Sequence, residues 1–165
     1  MSSGKYENEQ KYRIDDPVKI RALIGRLGAK KKFSLQEYNE IFDHQFKLKN
    51  QGCLLRLRDY GKDEAVLTFK GPLLKGRHKK RLELEAKVPR QEIKQILQAL
   101  GYEQVAAYEK HRQEFSLKKI TLTIDHMPKI GWFVEIEGTN AEIKKMIRAL
   151  ELKESQKESR SYLDL

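Results

Sequence analysis

The feature that most limits what this chain can fold into is an alternation of period two, repeated in run after run. KYENEQKYRI (residues 5–14) sets Glu7, Glu9, Lys11 and Arg13 on one face of a strand, because successive side chains of a strand point to opposite sides. CLLRLRD opposes Arg56 and Arg58 to Leu55 and Leu57, and VLTFKG opposes Thr68 and Lys70 to Leu67 and Phe69. KRLELEAKV splits Arg81, Glu83, Glu85 and Lys87 from Leu82, Leu84, Ala86 and Val88. YEKHRQEF groups Lys110, Arg112 and Glu114; TLTID groups Thr121, Thr123 and Asp125; WFVEIEG sets Glu135 and Glu137 against Trp132, Val134 and Ile136. Strands are therefore expected near residues 5–14, 31–43, 53–60, 64–70, 80–88, 106–116, 118–125 and 132–138.

Three segments carry helical spacing instead. One starts at Asp16-Pro17 and stops at Gly28; a second, RQEIKQILQALG, follows Pro89 and stops at Gly101; a third starts at TNAEIKKMIRAL, where Thr139 and Glu142 have capping-box spacing. The tail from Glu151 to Leu165 is polar, with partial helix expected. HMPKIG (126–131) reads as a hairpin turn, and Gly71-Pro72 through Lys80 as a loop, whose KGRHKKR run (75–81) is a solvated segment or a lid. Each charged row could be the wet face of an open antiparallel sheet. The rows, however, are almost purely ionic, and the helices need the apolar faces to cover. The expected fold is therefore α+β: a single domain over residues 1–165, with about eight antiparallel strands closed into a barrel, charged rows lining a tunnel and helices packed outside.

Charge narrows the partner. The formal charge is +10, from 34 basic and 24 acidic residues. The excess suits an anion, but carboxylates among the bases argue against a nucleic-acid backbone and favour a phosphate-bearing small molecule bound with a cation. Cys53 is the only cysteine, which excludes an intramolecular disulfide, and its apolar neighbours predict a buried small side chain. No apolar run reaches membrane-spanning length, so a cytoplasmic protein is expected.

E-x-E pairs on a strand present hard oxygen ligands in one direction, suited to Mg2+ or Mn2+, and neighbouring Arg and Lys suit phosphate oxygens. Neither a Walker loop nor GxGxxG is present, so side chains rather than a backbone cradle would hold the phosphates. The histidines His44, His78, His111 and His126 lack ligand spacing, and Trp132 is expected to pack under a helix.

KYENEQKYR resembles the ExExK signature of the CYTH superfamily, the triphosphate tunnel metalloenzymes, and GKYExExKYR resembles its class IV adenylyl cyclase, CyaB-like branch. LLRLRDYG, VLTFKGP, RLELEAKV, YEKHRQEF, LTIDHMPKIGWFVEIEG and SRSYLDL resemble that branch in order. The resemblance implies that Glu7, Glu9, Glu83, Glu85, Glu135 and Glu137 bind metal. It implies that Lys11, Arg56, Arg58, Lys70, Arg81, Lys110 and Arg112 bind phosphates. Glu83 and Glu85 form an acidic pair that some cyclases of the branch lack. Ile41 stands where relatives carry the Tyr of a YFD motif, and Phe42 and Asp43 are expected to be structural. Lys11 and Lys70 read as phosphate clamps or, if desolvated, as a general base. Asp125 reads as a group orienting metal-bound water or closing the hairpin. The expected function is metal-dependent conversion of ATP to cyclic AMP and pyrophosphate. The alternatives are a thiamine or inorganic triphosphatase, and a non-catalytic module binding polyphosphate, nucleotide or RNA ends. An exposed strand face or the tail offers a homodimer surface.

Overall fold

A computed structural model describes residues 5–61, 64–74 and 79–165. In chain order the elements are β1 (Lys5–Ile14), α1 (Pro17–Arg26), β2 (Lys30–Asp43), α2 (Lys47–Asn50), β3 (Leu54–Asp59), β4 (Glu64–Lys70), β5 (Lys79–Pro89), α3 (Arg90–Ala99), β6 (Glu103–Leu117), β7 (Ile120–Met127), β8 (Gly131–Glu137) and α4 (Asn140–Ala149). The strands hydrogen-bond in the order β1-β5-β4-β3-β2-β6-β7-β8, and β8 pairs antiparallel with β1, so the order closes into a ring. This is the α+β, eight-strand antiparallel arrangement that the alternation predicts.

Helix ends follow their local chemistry. Asp16 accepts the Lys19 backbone N–H ahead of Pro17, and Gly28, with φ of 77°, turns the chain away after Arg26. The Thr139 and Glu142 capping box forms as expected. Asp43 has the structural role expected of it: it accepts the backbone N–H groups of His44, Leu48 and Lys49 and so ties the short α2 to the end of β2.

The chain divides into two compact units, each assembled from three separate stretches. In the first, which includes residues 36–74 and 80–109, α3 packs on the apolar faces of β3 and β4. Phe42, Leu57, Ala65 and Leu97 form its buried core, flanked by Leu55, Leu67 and Val88. In the second, which includes residues 8–35 and 110–165, α1 and α4 cover β1, β7 and β8. Its larger core contains Tyr12, Ile14, Ile24, Leu122, Ile124, Val134, Ile136, Ile143 and Met146. In both units most of the apolar residues of the alternation lie under helices and the ionic rows take the other face; β5 is the exception, where Leu84 is exposed and neither Leu82 nor Leu84 joins a core.

Several local expectations change. β6 starts at Glu103, earlier than the alternation suggests, and α2 is too short to carry a periodic signal. Cys53 is half-buried and lies in neither core, because it follows the Gly52 turn rather than a strand interior. Trp132 packs partly against the second core and stacks on His126 with ring centroids 4.4 Å apart. The tail forms one 3-10 turn, Glu154–Gln156, and then runs along β1, where Lys157 bridges to Tyr12. The lid reading of KGRHKKR falls largely on residues 75–78, outside those described, as does His78.

Leu122→Ala should cost about 2–5 kcal/mol in urea unfolding, since the side chain is fully buried. Val18→Ala, on the exposed side of α1, stays within about 0.5 kcal/mol of the parent.

Candidate functional site

The ionic rows become two clusters, one in each unit. In the first, the Lys70 ammonium stands 2.8 Å from Glu7 and 3.1 Å from Glu83. Register explains the second contact, because Lys70 and Glu83 face each other across β4 and β5. One tier along, Thr68 lies between Arg56 on β3 and Glu85 on β5; its hydroxyl donates to Glu85 at 2.8 Å, and Arg56 lies 3.7 Å from the same carboxylate. Arg58 continues the row, pairing with Glu37 at 3.6 Å and donating to the Tyr60 hydroxyl at 3.2 Å.

Glu7 and Glu83 share a hydrogen bond, and the proton settles unequally. Burial works to raise Glu7, but the Lys70 charge, the Glu83 hydrogen bond and Arg81 outweigh it and hold Glu7 at about 2. Burial pushes Glu83 up to about 7, reinforced by its bond to Glu7 and opposed by Lys70. Two carboxylates that retain a proton between them form a site a divalent cation can take over.

The second cluster lies on β1, β8, β7 and β6, where the register builds three tiers. Glu9 faces Glu137, and Glu137 faces Thr121. Lys11 faces Glu135, then Thr123 and Glu114. Arg13 faces Phe133, then Asp125 and Arg112. Asp125 is fully buried and accepts from Lys110 at 2.9 Å, from Arg112 through both Nε (2.8 Å) and Nη2 (2.6 Å), and from the Tyr162 hydroxyl at 2.8 Å. Arg112 also reaches Glu135. Burial raises the Asp125 carboxyl, but Arg112 and Lys110 reverse the shift and hold it far below the usual range. Glu135 is lowered in the same way, with Arg112 the main opponent of burial and the Asp125 charge a counterweight. The arrangement makes Asp125 the group that orients Lys110 and Arg112, beyond the hairpin-closing role open from sequence.

Every sequence-selected residue thus falls on one of two ionic faces. Glu7, Arg56, Arg58, Lys70, Arg81, Glu83 and Glu85 lie in the first unit. Glu9, Lys11, Lys110, Arg112, Asp125, Glu135 and Glu137 lie in the second. Among the described residues no three or more His, Cys, Asp or Glu side chains gather as a metal cluster. The donors still fit magnesium, which takes one or two carboxylates and completes its shell with phosphate oxygens and water. Glu7 with Glu83, and the facing Glu9 and Glu137, are the pairs that fit.

Sequence reasoning missed three residues. Glu37 and Asn39 are fully buried two residues apart on β2, with Asn39 facing Arg58. Extending the alternation back from Asp43 would have placed both on the ionic face. The Asn39 amide has no hydrogen-bond partner among the described residues, which marks a place where the lining expects water or ligand. Tyr162 sits in SRSYLDL, where no periodicity signals a contact.

Two predictions test this geometry. Glu83 is raised in the fold, so its contribution to stability is complete below about pH 4.5 and is lost as pH rises through about 7; Glu7, lowered, acts in the opposite sense only at acid pH. Unfolding free energy of the parent should therefore fall from about pH 5 to 7.5 relative to Glu83→Gln, and a pH-independent difference would remove the shared proton. Asp125→Asn should cost about 3–5 kcal/mol in urea titration, because Lys110 and Arg112 lose their buried counter-charge.

Comparison with known proteins bears on the family and the fold. The CYTH domain family matches residues 5–162. A Methanocaldococcus jannaschii protein named "Putative adenylate cyclase MJ0240" is 32% identical over 149 residues, covering 88% of this chain and 83% of its own. A solved Vibrio parahaemolyticus structure with the same designation superposes with a TM-score of 0.85 at 22% identity, covering 98% of each chain. An adenylyl cyclase candidate from Hippeastrum, described as having a dominant triphosphatase activity, superposes with a TM-score of 0.70 at 16% identity over 96% of this chain and 93% of that one. With ExExK on β1, the facing carboxylates of β8 and a family match running nearly end to end, this chain belongs to the CYTH family.

Proposed function

We propose that the chain is a metal-dependent enzyme acting on a triphosphate, and that its reaction is conversion of ATP to cyclic AMP and pyrophosphate. The observation that carries this reading is the register of the second cluster, where carboxylate faces carboxylate in one tier and lysine faces carboxylate in the next. Such a face offers cation sites and phosphate sites side by side. The cyclase assignment draws on the name of the Methanocaldococcus relative, since fold alone does not select a chemistry.

In this reading Lys11, Lys110 and Arg112 are the candidate partners of phosphate oxygens in the second cluster, and Lys70, Arg56, Arg58 and Arg81 those in the first. Glu7, Glu9, Glu83, Glu85, Glu135 and Glu137 are the candidate ligands of Mg2+ or Mn2+, which would neutralise charge on the phosphate chain. The ribose 3′-hydroxyl attacks the α-phosphorus in line and passes its proton to solvent water; the bond from that phosphorus to the bridging oxygen breaks, and pyrophosphate leaves into the basic residues. Most of the acceleration would come from these cations being held in place by their carboxylate partners before substrate arrives. The same face could instead admit water to the terminal phosphorus.

Product analysis separates these outcomes. Incubation with ATP, thiamine triphosphate and tripolyphosphate in turn, with Mg2+ or Mn2+, should give cyclic AMP and pyrophosphate from ATP. Glu9→Gln and Lys11→Ala should each lower the rate by about 100-fold or more. Orthophosphate as the only product, lost in both variants, would make the enzyme a triphosphatase. Absence of turnover, with metal-independent binding, would make it a binding module.

A further inference from the structure

The C-terminal tail reaches the second cluster through polar and aromatic groups. After its 3-10 turn it runs beside β1: the Glu158 N–H donates to the Lys11 carbonyl at 2.8 Å, and the Lys11 ammonium donates to the Arg160 carbonyl at 2.7 Å. Glu158 and Arg160 pair with each other at 2.7 Å, and the Glu158 carboxylate also feels the Lys11 charge. Tyr162 then enters the cluster. The Lys11 ammonium lies 3.9 Å from the centre of its ring, the Lys110 ammonium 4.7 Å, and Phe133 meets it edge-on at 5.5 Å. Its hydroxyl donates to Asp125 at 2.8 Å.

These contacts define what Tyr162 does. Its ring meets two ammonium groups and the Phe133 ring. Burial, with Glu135 and Asp125 close by, keeps the phenol protonated well above its ordinary range, so it acts as a hydrogen-bond donor without adding charge. The ring attracts both lysines through its negative face while excluding water, and an aromatic ring is too weak a partner to hold a cation against a phosphate.

We infer that the tail segment Lys157–Tyr162 is a wall of the triphosphate site, and that Tyr162 is a positioning residue that holds Lys11 and Lys110 toward the phosphate chain. This rests on the reading of the cluster as a phosphate site and adds the tail to it. Lys11 is held at both its carbonyl and its ammonium by the tail, so ordering of Lys11 by a phosphate tightens the tail as well.

Two measurements on the full chain test the inference, with tripolyphosphate as the probe. Amide hydrogen exchange of the parent protein should slow across residues 157–162 when tripolyphosphate binds; faster exchange would show that the tail is displaced and overturn the proposal. Calorimetry should show Tyr162→Leu binding tripolyphosphate about tenfold more weakly and Tyr162→Phe, which keeps the ring, within about threefold of the parent. A Leu variant with parent affinity, or tighter, would assign the tail to packing or to occlusion. The exchange measurement decides the matter if the Leu variant does not fold. Failure of the parent itself to bind tripolyphosphate would remove the phosphate reading along with this one, whereas parent binding with an unresponsive tail removes only this one.

Discussion

The structure depends on one constraint: charges taken out of water must be neutralised where they stand. Asp125 is where this is most severe, because its buried carboxylate accepts donors from two cationic side chains and a phenol. An isolated carboxylate there would be several kcal/mol out of balance. Surrounded as it is, it becomes the fixed point around which Lys110, Arg112 and Tyr162 take their places. Lys70 plays the converse part in the first unit, as one cation between two carboxylates. Each unit solves the same problem with opposite signs at the centre.

That constraint also explains why the ionic rows could be read from sequence. A strand whose one face must meet a helix has no freedom in its alternation, so Leu55, Leu57, Leu122 and Ile124 announce the direction of Arg56, Arg58, Thr123 and Asp125. Periodicity could not give the pairing. That Lys11 faces Glu135 and Glu9 faces Glu137 depends on how β1 registers against β8, more than a hundred residues away. The shared proton of Glu7 and Glu83 was illegible for the same reason. Tyr162 was hidden because the tail follows no period, and its contacts come from where one turn at Glu154–Gln156 aims the chain. Cys53 misled because its neighbours are apolar while its own position belongs to a turn.

Beneath α3, charge is used differently. Glu40, on the helix-facing side of β2, receives Lys94 at 2.6 Å and Arg90 at 3.7 Å, and Arg90 also reaches Asp59 at 3.0 Å. These pairs fasten α3 over a small apolar core of Phe42, Leu57, Ala65 and Leu97. With the carboxylates buried and the basic partners only partly so, these pairs fix the orientation of the helix. Their work is to hold the helix that keeps the leucine face of β3 dry, which in turn keeps Arg56 and Arg58 directed to the other side.

The β7–β8 turn carries a quieter consequence. Gly131 has φ of 122°, and a methyl group there would come within 3.2 Å of an Arg13 guanidinium nitrogen. That guanidinium is fixed between the Ile130 carbonyl, at 2.6 Å, and the Phe133 ring, at 4.9 Å. The missing side chain is therefore a socket, and the arginine of β1 is its plug. The hairpin and the strand beside it are thereby coupled: a substitution at the tip would strain the turn and, in the same stroke, displace a cation on the ionic face.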